Sequence, residues 1–147
     1  IGVTLSQGDV DICQSKGHTV KQYDLSFIPE IDESVDYIWL RHALEHSPYP
    51  IFSLMEYNRL LKQNGKIYIE VPAPGCDRKH EMNLNHYSIL GDQQLAALLQ
   101  RTGFDINIFN NFEFDVGGTN PDSKEDFNAK EHFYCIVATK QRPLDIK

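Results

Sequence analysis

Short apolar runs alternate with amphipathic stretches along the first part of the chain. Residues 1–5 form an apolar run, and residues 7–16 can form a helix that Gly17 ends. Residues 18–23 alternate as a strand, and residues 35–40 form the clearest predicted strand because β-branched and aromatic residues dominate them. The first 40 residues therefore have the β-α-β rhythm of an α/β protein.

The same rhythm continues beyond the strong strand. Residues 51–61 place apolar side chains on one helical face, and Asn64-Gly65 is expected to close this helix before a strand at residues 66–71. A strand, a helix and a second strand in this order predict a right-handed crossover between parallel strands. Residues 75–87 are polar without a regular period, which is typical of a loop that could cover a substrate.

The last third repeats the pattern once and then departs from it. Leucines at helical spacing predict a helix over residues 92–102, followed by a strand at residues 104–109. Residues 112–128 read as a long connection, and residues 132–139 as the final strand. A final pair without an intervening helix predicts an antiparallel pair at one edge. The expected fold is one α/β domain over residues 1–147, with a mostly parallel sheet and an antiparallel last strand.

Composition and charge narrow the class of protein. With 147 residues, 41% of them hydrophobic, the chain can form one packed domain. The formal net charge of -7 argues against the basic surface that phosphate backbones require, so a small-molecule substrate is expected rather than nucleic acid. Cys13, Cys76 and Cys135 lack the spacing of a zinc site or a disulfide framework. No apolar run reaches a membrane span of about 20 residues, and a cytoplasmic protein is expected.

Several segments, taken in order, resemble the class I S-adenosylmethionine-dependent methyltransferases. Asp36 to His46 contains a strand followed by the pattern His-x-Leu-Glu-His, which is similar to the segment after the family's fourth strand. Leu-Leu-Lys-Gln-Asn-Gly-Lys before the strand at residues 66–71 looks like the family's helix end and fifth strand. The remaining similar segments are residues 2–6, 23–25 and 86–104.

The resemblance implies a Rossmann-like sheet of seven strands, but the family's first strand and its Gly-x-Gly loop have no counterpart here. In the family that strand lies between the second and fourth strands. The chain is therefore expected to close a gap, to pair with another chain, or to be a truncated domain. An open strand edge favours a homodimer.

The resemblance also assigns the cofactor, S-adenosylmethionine, to the loops that follow the strands. Residues after the second strand would face the ribose, Asp24 would accept from the adenine amino group, and the Leu25 amide would meet a ring nitrogen. The alternatives are that the residues after the second strand form only a turn, and that the Asp24 carboxylate only caps its own loop. The full predicted cofactor set is Thr4, Leu5, Ser6, Gln7, Asp24, Leu25 and Arg41.

His42 is the candidate catalytic residue, because it follows the fourth strand and histidine titrates near neutral pH. Methyl transfer needs alignment more than acid-base help, so a structural hydrogen-bonding role is the alternative. His86 and Tyr87 are predicted to contact the substrate. Glu45 and His46 could ligate a metal with His42 if the segment is helical, but no metal is expected.

Two functions of different class remain open. The first is S-adenosylmethionine-dependent methyl transfer to a small molecule. The second is a methyltransferase-like module that binds or assembles without catalysis. A dinucleotide or nucleotide-sugar enzyme ranks below both, since it needs a glycine-rich phosphate loop that this chain lacks.

Overall fold

The computed structural model describes residues 1–119 and 125–141, and strands and helices alternate along most of them. Short 3-10 helices span Leu44–His46 and His80–Met82. The described strands and α-helices, in chain order, are β1 (Gly2–Thr4), α1 (Gln7–Ser15), β2 (Val20–Gln22), β3 (Val35–Arg41), α2 (Pro50–Leu60), β4 (Leu61–Pro72), α3 (Asp92–Arg101), β5 (Phe104–Thr119) and β6 (Asp126–Lys140).

The strands form two sheets. β1 and β2 pair in parallel, and the second sheet has the order β3-β4-β6-β5. β3 and β4 are parallel, whereas β6 is antiparallel to both of its neighbours. This arrangement confirms the predicted α/β fold with an antiparallel last strand.

A gap separates the two sheets, and β1 and β3 each present an unpaired edge to it. Within residues 1–119 and 125–141, no strand pairs with both β1 and β3. The Gly2 amide donates to Thr19, and the Thr4 carbonyl accepts from Tyr23. Because backbone groups alternate between the two edges of a strand, the peptide groups of Val3 point to the unpaired edge.

Individual residues account for where α1 begins and ends and for where α2 begins. Ser6 caps α1, since its hydroxyl oxygen accepts from the Asp9 amide at 3.2 Å. Gly17 follows α1 with a φ of 83°, a conformation that glycine adopts without a steric penalty. Pro50 starts α2, where its missing N–H costs nothing.

The predicted end of α2 is wrong. The helix ends at Leu60, and β4 begins at the next residue, so Asn64 and Gly65 lie inside a strand. Asn64 has a φ of 64°, and the β3–β4 register shifts before Lys66, which marks an irregularity in the strand. A Cβ on Gly65 would lie 2.8 Å from the Lys62 carbonyl oxygen, which explains the glycine. The Asn-Gly pair therefore bends a strand rather than ending a helix.

The connection predicted at residues 112–128 is also wrong for the part that is described. β5 continues to Thr119 and β6 begins at Asp126, with Phe112 opposite Phe133 and Thr119 opposite Asp126. Apolar and polar residues alternate in this part of β5, which is the period of a strand. Residues 120–124 and the polar tail at residues 142–147 lie outside the described residues.

One face of the larger sheet carries the core. Leu54 and Tyr57 of α2 and Leu95 and Leu99 of α3 are buried together with Ile69 and other strand residues. The opposite face, here called the open face, has none of the described α-helices packed on it and exposes large side chains. They are Tyr37, Trp39, Ile108, Phe112 and Phe114.

Candidate functional site

A cleft of about 800 Å³ lies between β1 and β3, at the gap between the two sheets. It runs along both strands, from Val35 at the start of β3 to Ala43 beyond its end, so it includes their carboxyl ends, where α/β proteins bind ligands. Its volume is typical of a small-molecule site. Five of the predicted site residues line this cleft together: Thr4, Leu5, Leu25, Arg41 and His42.

The other three predicted cofactor residues make local contacts beside the cleft. Ser6 caps α1, and the side-chain amide of Gln7 donates from Nε2 to the Asp11 carboxylate at 2.7 Å. Asp24 accepts from the Ser26 amide at 2.7 Å, so its carboxylate stabilises its own turn. These contacts match the alternative of turn and capping residues, and a cofactor role for Ser6, Gln7 and Asp24 stays a prediction.

Asp9 is a neighbour of the cleft that the sequence reasoning did not find. Its carboxylate lies 3.4 Å from the Thr4 hydroxyl, in the first turn of α1. Asp9 therefore places a carboxylate beside the carboxyl end of β1.

The inner wall of the cleft is apolar and contains a free hydroxyl. Ile28, Ile38 and Leu60 contribute to this wall. The Tyr57 hydroxyl is buried and has no hydrogen-bond partner among the described residues. Burial, with the negative charges of Asp24 and Glu56, raises the pKa of Tyr57 well above its ordinary value. The phenol therefore stays protonated and can donate a hydrogen bond to a ligand.

His42 directly follows β3 and has a strained backbone conformation, with its ring between two carboxylates. Its φ is 47°, which non-glycine residues seldom adopt and which recurs at functional sites. Its Nε2 lies 3.0 Å from Glu70 Oε1, and its Nδ1 lies 3.5 Å from Glu45 Oε1. The ring also meets the edge of Phe133. His42 is therefore held in one orientation at the mouth of the cleft.

Glu70 is the second residue that the sequence reasoning missed. It accepts from the Tyr68 hydroxyl at 2.8 Å and from Arg41 Nε at 2.9 Å. Burial by itself would raise the pKa of Glu70, but the Tyr68 hydrogen bond and the charges of Arg41 and His42 outweigh it and lower the pKa. The sequence could have indicated Glu70, because this residue lies near the carboxyl end of the strand predicted at residues 66–71. That strand is parallel to the one that precedes His42.

A cluster of three histidines, His46, His80 and His86, lies near His42. The ring of His46 is 4.9 Å from that of His86, and His86 stacks on His80 at 5.5 Å. The loop is fixed by the Tyr87 amide, which donates to the Glu45 carbonyl at 2.8 Å. His86 thus lies close to the cleft residue His46, while the Tyr87 side chain is exposed. Their predicted contact with substrate stays a prediction.

Glu45 is the least satisfied group in this cluster. The residue is only 1% exposed, and its Oε2 has no hydrogen-bond partner in the described part of the chain. An unpaired buried polar atom of this kind costs about 1–3 kcal/mol. One potential ligand atom from each of Glu45, His46 and His86 falls within a mutual distance of 4.8 Å.

A second group of metal-ligating side chains is arranged differently. Cys76, His80 and Glu131 also bring one potential ligand atom each within 4.8 Å. Here both carboxylate oxygens are occupied, since His80 Nε2 lies 2.8 Å from Oε2 and Arg78 Nε lies 3.0 Å from Oε1. This group is a satisfied ion-pair network.

None of the described helices has the length and apolar character that crossing a membrane requires.

Residues 1–69 match the family model of the methyltransferase domain. No curated protein sequence matches the chain.

Solved structures match almost the whole chain. A candidate methyltransferase of Bacillus halodurans aligns with a TM-score of 0.76 at 15% identity, over 95% of this chain and 82% of that one. A candidate methyltransferase of Haloferax volcanii, in complex with a methyltransferase activator, aligns with a TM-score of 0.74 at 18% identity, over 96% of this chain and 71% of that one.

A third similar structure is an S-adenosylmethionine-dependent methyltransferase of Archaeoglobus fulgidus, with a TM-score of 0.69 at 18% identity over 95% of this chain and 75% of that one. At these identities the structural likeness concerns the fold. The first 69 of the 147 residues thus match the methyltransferase-domain model, and the described residues share the fold of these methyltransferase structures.

Proposed function

We propose that this protein transfers a methyl group from S-adenosylmethionine to a small-molecule acceptor. The observation that carries this proposal is that five residues predicted from the sequence lie together in the part of the cleft at the carboxyl ends of β1 and β3. The methyltransferase-domain match over residues 1–69 supports the same reaction class.

The residues of the cleft fit the adenosine part of the cofactor. An apolar wall suits the adenine ring, and polar groups at the strand ends suit the ribose hydroxyls. Thr4, Leu5, Ser6 and Gln7, with Asp9 beside them, would hold the ribose side, Asp24 and Leu25 the adenine, and Arg41 the mouth of the cleft. The Tyr57 hydroxyl, which has no hydrogen-bond partner among the described residues, supplies a donor on the same wall. When bound, the cofactor supplies an electrophilic methyl group on a sulfonium sulfur.

His42 serves the acceptor in this proposal. Its ring is held by Glu45, Glu70 and Phe133, so it can orient an acceptor or take the proton that the acceptor loses as its new bond to carbon forms. His86 and Tyr87 would contact the acceptor from the loop above. The net charge of -7 favours a small acceptor over a nucleic acid.

A binding or assembly role without catalysis is the second candidate, and the open edges of β1 and β3 favour it. An unpaired strand edge is a template for another strand, and a second copy of the chain would produce a homodimer.

Free thiols at Cys13, Cys76 and Cys135 are consistent with a reducing compartment such as the cytoplasm.

Calorimetric titration of S-adenosylhomocysteine into the chain tests the proposal. We expect saturable binding that weakens at least about tenfold in Asp24→Ala, the loss expected for a charge-assisted hydrogen bond. Asp24→Asn keeps an acceptor for the Ser26 amide and so separates loss of the charge from loss of the turn.

Asp36→Ala is the matched control, because it removes an exposed carboxylate at the other end of β3. No binding at about millimolar ligand, the weak limit of specific recognition, would reject methyl transfer by this chain and leave the assembly role. Binding that Asp24→Ala and Asp36→Ala weaken equally would reject the assigned adenine site.

A further inference from the structure

We propose that Glu45, His46 and His86 form a binding site for a divalent transition-metal ion, with Zn²⁺ as the ion that suits these ligands best. The site lies beside the cofactor cleft and shares His86 with the proposed acceptor site, but its test is separate from methyl transfer because metal binding requires neither cofactor nor acceptor.

Two elements bring the three side chains together. Glu45 and His46 are neighbours on the 3-10 helix that follows β3. His86 belongs to the polar loop, which is tied to this helix by three hydrogen bonds: the Tyr87 and Ser88 amides donate to the Glu45 carbonyl at 2.8 and 3.1 Å, and the Ser88 hydroxyl donates to the Ser47 carbonyl at 2.7 Å. The ligand set is therefore held by backbone contacts that do not involve the ligating atoms.

The hydrogen bonds of both imidazoles have the pattern found around metal-bound histidines. His46 Nδ1 lies 2.8 Å from the Asn85 carbonyl oxygen, and His86 Nδ1 lies 3.0 Å from the His80 carbonyl oxygen. A carbonyl oxygen can only accept, so each Nδ1 carries the proton and each Nε2 carries the lone pair. Such a bond to a backbone carbonyl orients a metal ligand and makes it more basic.

The carboxylate of Glu45 provides the second, independent observation. It is almost fully buried, and its Oε2 has no partner in residues 1–119 and 125–141, although buried carboxylate oxygens are normally paired. A cation would satisfy this oxygen. The Cys76, His80 and Glu131 group lacks this feature, because Arg78 and His80 already occupy both oxygens of Glu131.

The donor set suits zinc. Two imidazole nitrogens and one carboxylate oxygen leave a fourth position for water or another ligand, which is the composition of an open zinc site. Bonds of about 2.0–2.2 Å require the ligand atoms to approach more closely than 4.8 Å. His46 is exposed and can move, and the exposed Asn83 amide, 3.3 Å from His86 Nε2, must turn away.

Calorimetric titration of ZnSO₄ into chelator-treated protein, without cofactor, tests the site. We expect one ion per chain, and at least a tenfold loss of affinity in Glu45→Gln and in His86→Ala. His18→Ala is the matched control, since His18 is an exposed histidine outside the cluster. Cys76→Ser tests the other group of ligands. Unchanged affinity in Glu45→Gln, or a loss of binding in Cys76→Ser alone, would overturn the proposal.

The absorption spectrum of the Co²⁺-loaded wild-type protein gives a readout that needs no variant to fold. Ligation by nitrogen and oxygen gives visible d–d bands without a thiolate-to-cobalt charge-transfer band, whereas a Cys76 site would show that band. We also expect Zn²⁺ to raise the melting temperature of the wild-type chain, since an ion that binds only the folded state stabilises it. Absence of both effects, or a thiolate band, would refute the site.

Discussion

Arg59 binds Glu56 through two parallel hydrogen bonds, Nε to Oε2 at 2.8 Å and Nη2 to Oε1 at 2.7 Å. The three remaining guanidinium protons donate to the Glu30 and Ile28 carbonyl oxygens, both at 2.8 Å, and to the Asp32 carboxylate at 2.5 Å. Glu56 in turn accepts from the Ile28 amide. This pair therefore fastens the loop between β2 and β3, whose Leu25 and Ile28 form a wall of the cleft.

Replacing Arg59 by lysine should destabilise the protein by roughly 1–3 kcal/mol, because an ammonium cannot reproduce the planar fork that satisfies two carboxylates and two carbonyls. Urea unfolding measures the change. Arg101→Lys at the exposed end of α3 makes the same chemical change without these contacts and should have little effect. Equal effects of the two variants would show that the loop is fastened elsewhere.

The same pair predicts loss of stability in acid. Burial tends to raise the pKa of Glu56, but the hydrogen bonds from Arg59 and the Ile28 amide outweigh it, so its pKa lies below the ordinary 4.5. A carboxyl group with a lowered pKa stabilises the fold fully above its unfolded-state pKa, and this contribution is lost as pH falls through the folded-state pKa. Melting temperatures between about pH 3 and pH 6 should therefore fall less steeply in Glu56→Gln than in the wild type. Parallel curves would contradict this assignment.

His42→Asn should lower the rate of methyl transfer by about 10²–10⁴-fold while leaving the affinity for S-adenosylhomocysteine within about threefold. Asparagine tolerates the left-handed backbone of residue 42, so the variant removes the imidazole without adding strain. Transfer of labelled methyl groups to a panel of small hydroxyl and amine acceptors measures the rate. His132→Asn on β6 is the control, and a His42→Asn rate equal to the control would exclude a direct role.

Leu99→Ala should cost about 2–5 kcal/mol of unfolding free energy, since the side chain is 0% exposed in the core between α3 and the sheet. Leu84→Ala makes the same change at a position that is 93% exposed and should be nearly neutral. The shift in denaturant midpoint compares the two. A small effect at Leu99 would mean that α3 does not pack on the sheet in solution.

The open edge of β1 predicts that the chain associates through its backbone. Val3→Pro removes an N–H that faces this edge and leaves the Gly2 and Thr4 bonds to β2 in place. Light scattering should show a dimer for the wild type and a larger monomer fraction for Val3→Pro. Val3→Ala keeps the N–H and should stay dimeric, so dissociation in both variants would indicate a side-chain contact instead.

The fold was predictable wherever one period dominated the sequence. The strand predicted at residues 35–40 and the helix predicted at residues 92–102 each differ from the structure by one residue. The extensions of β5 and β6 were missed because Gly117-Gly118 and the acidic residues resemble a loop. In the structure Gly118 makes room for the ring of Phe127, whose Cε1 would lie 3.2 Å from an added Cβ.

The site was predictable as far as strand ends define it. Residues that follow parallel strands, such as Thr4, Leu25 and His42, could be placed at one edge of the sheet from the topology alone. The approach of His86 to Glu45 could not, because it depends on a loop that returns across about forty residues and is held by backbone hydrogen bonds. Neither hydropathy nor spacing encodes such a contact.

Trp39 on the open face gives the protein an intrinsic optical probe. It is the only tryptophan in the sequence, it is 62% exposed, and it stacks on Tyr68 with ring centroids 4.1 Å apart while also lining the cleft. Indole emission shifts to shorter wavelengths when water is excluded. A ligand or a strand that enters the cleft should therefore change the colour of the fluorescence, so occupancy can be followed in real time without a label.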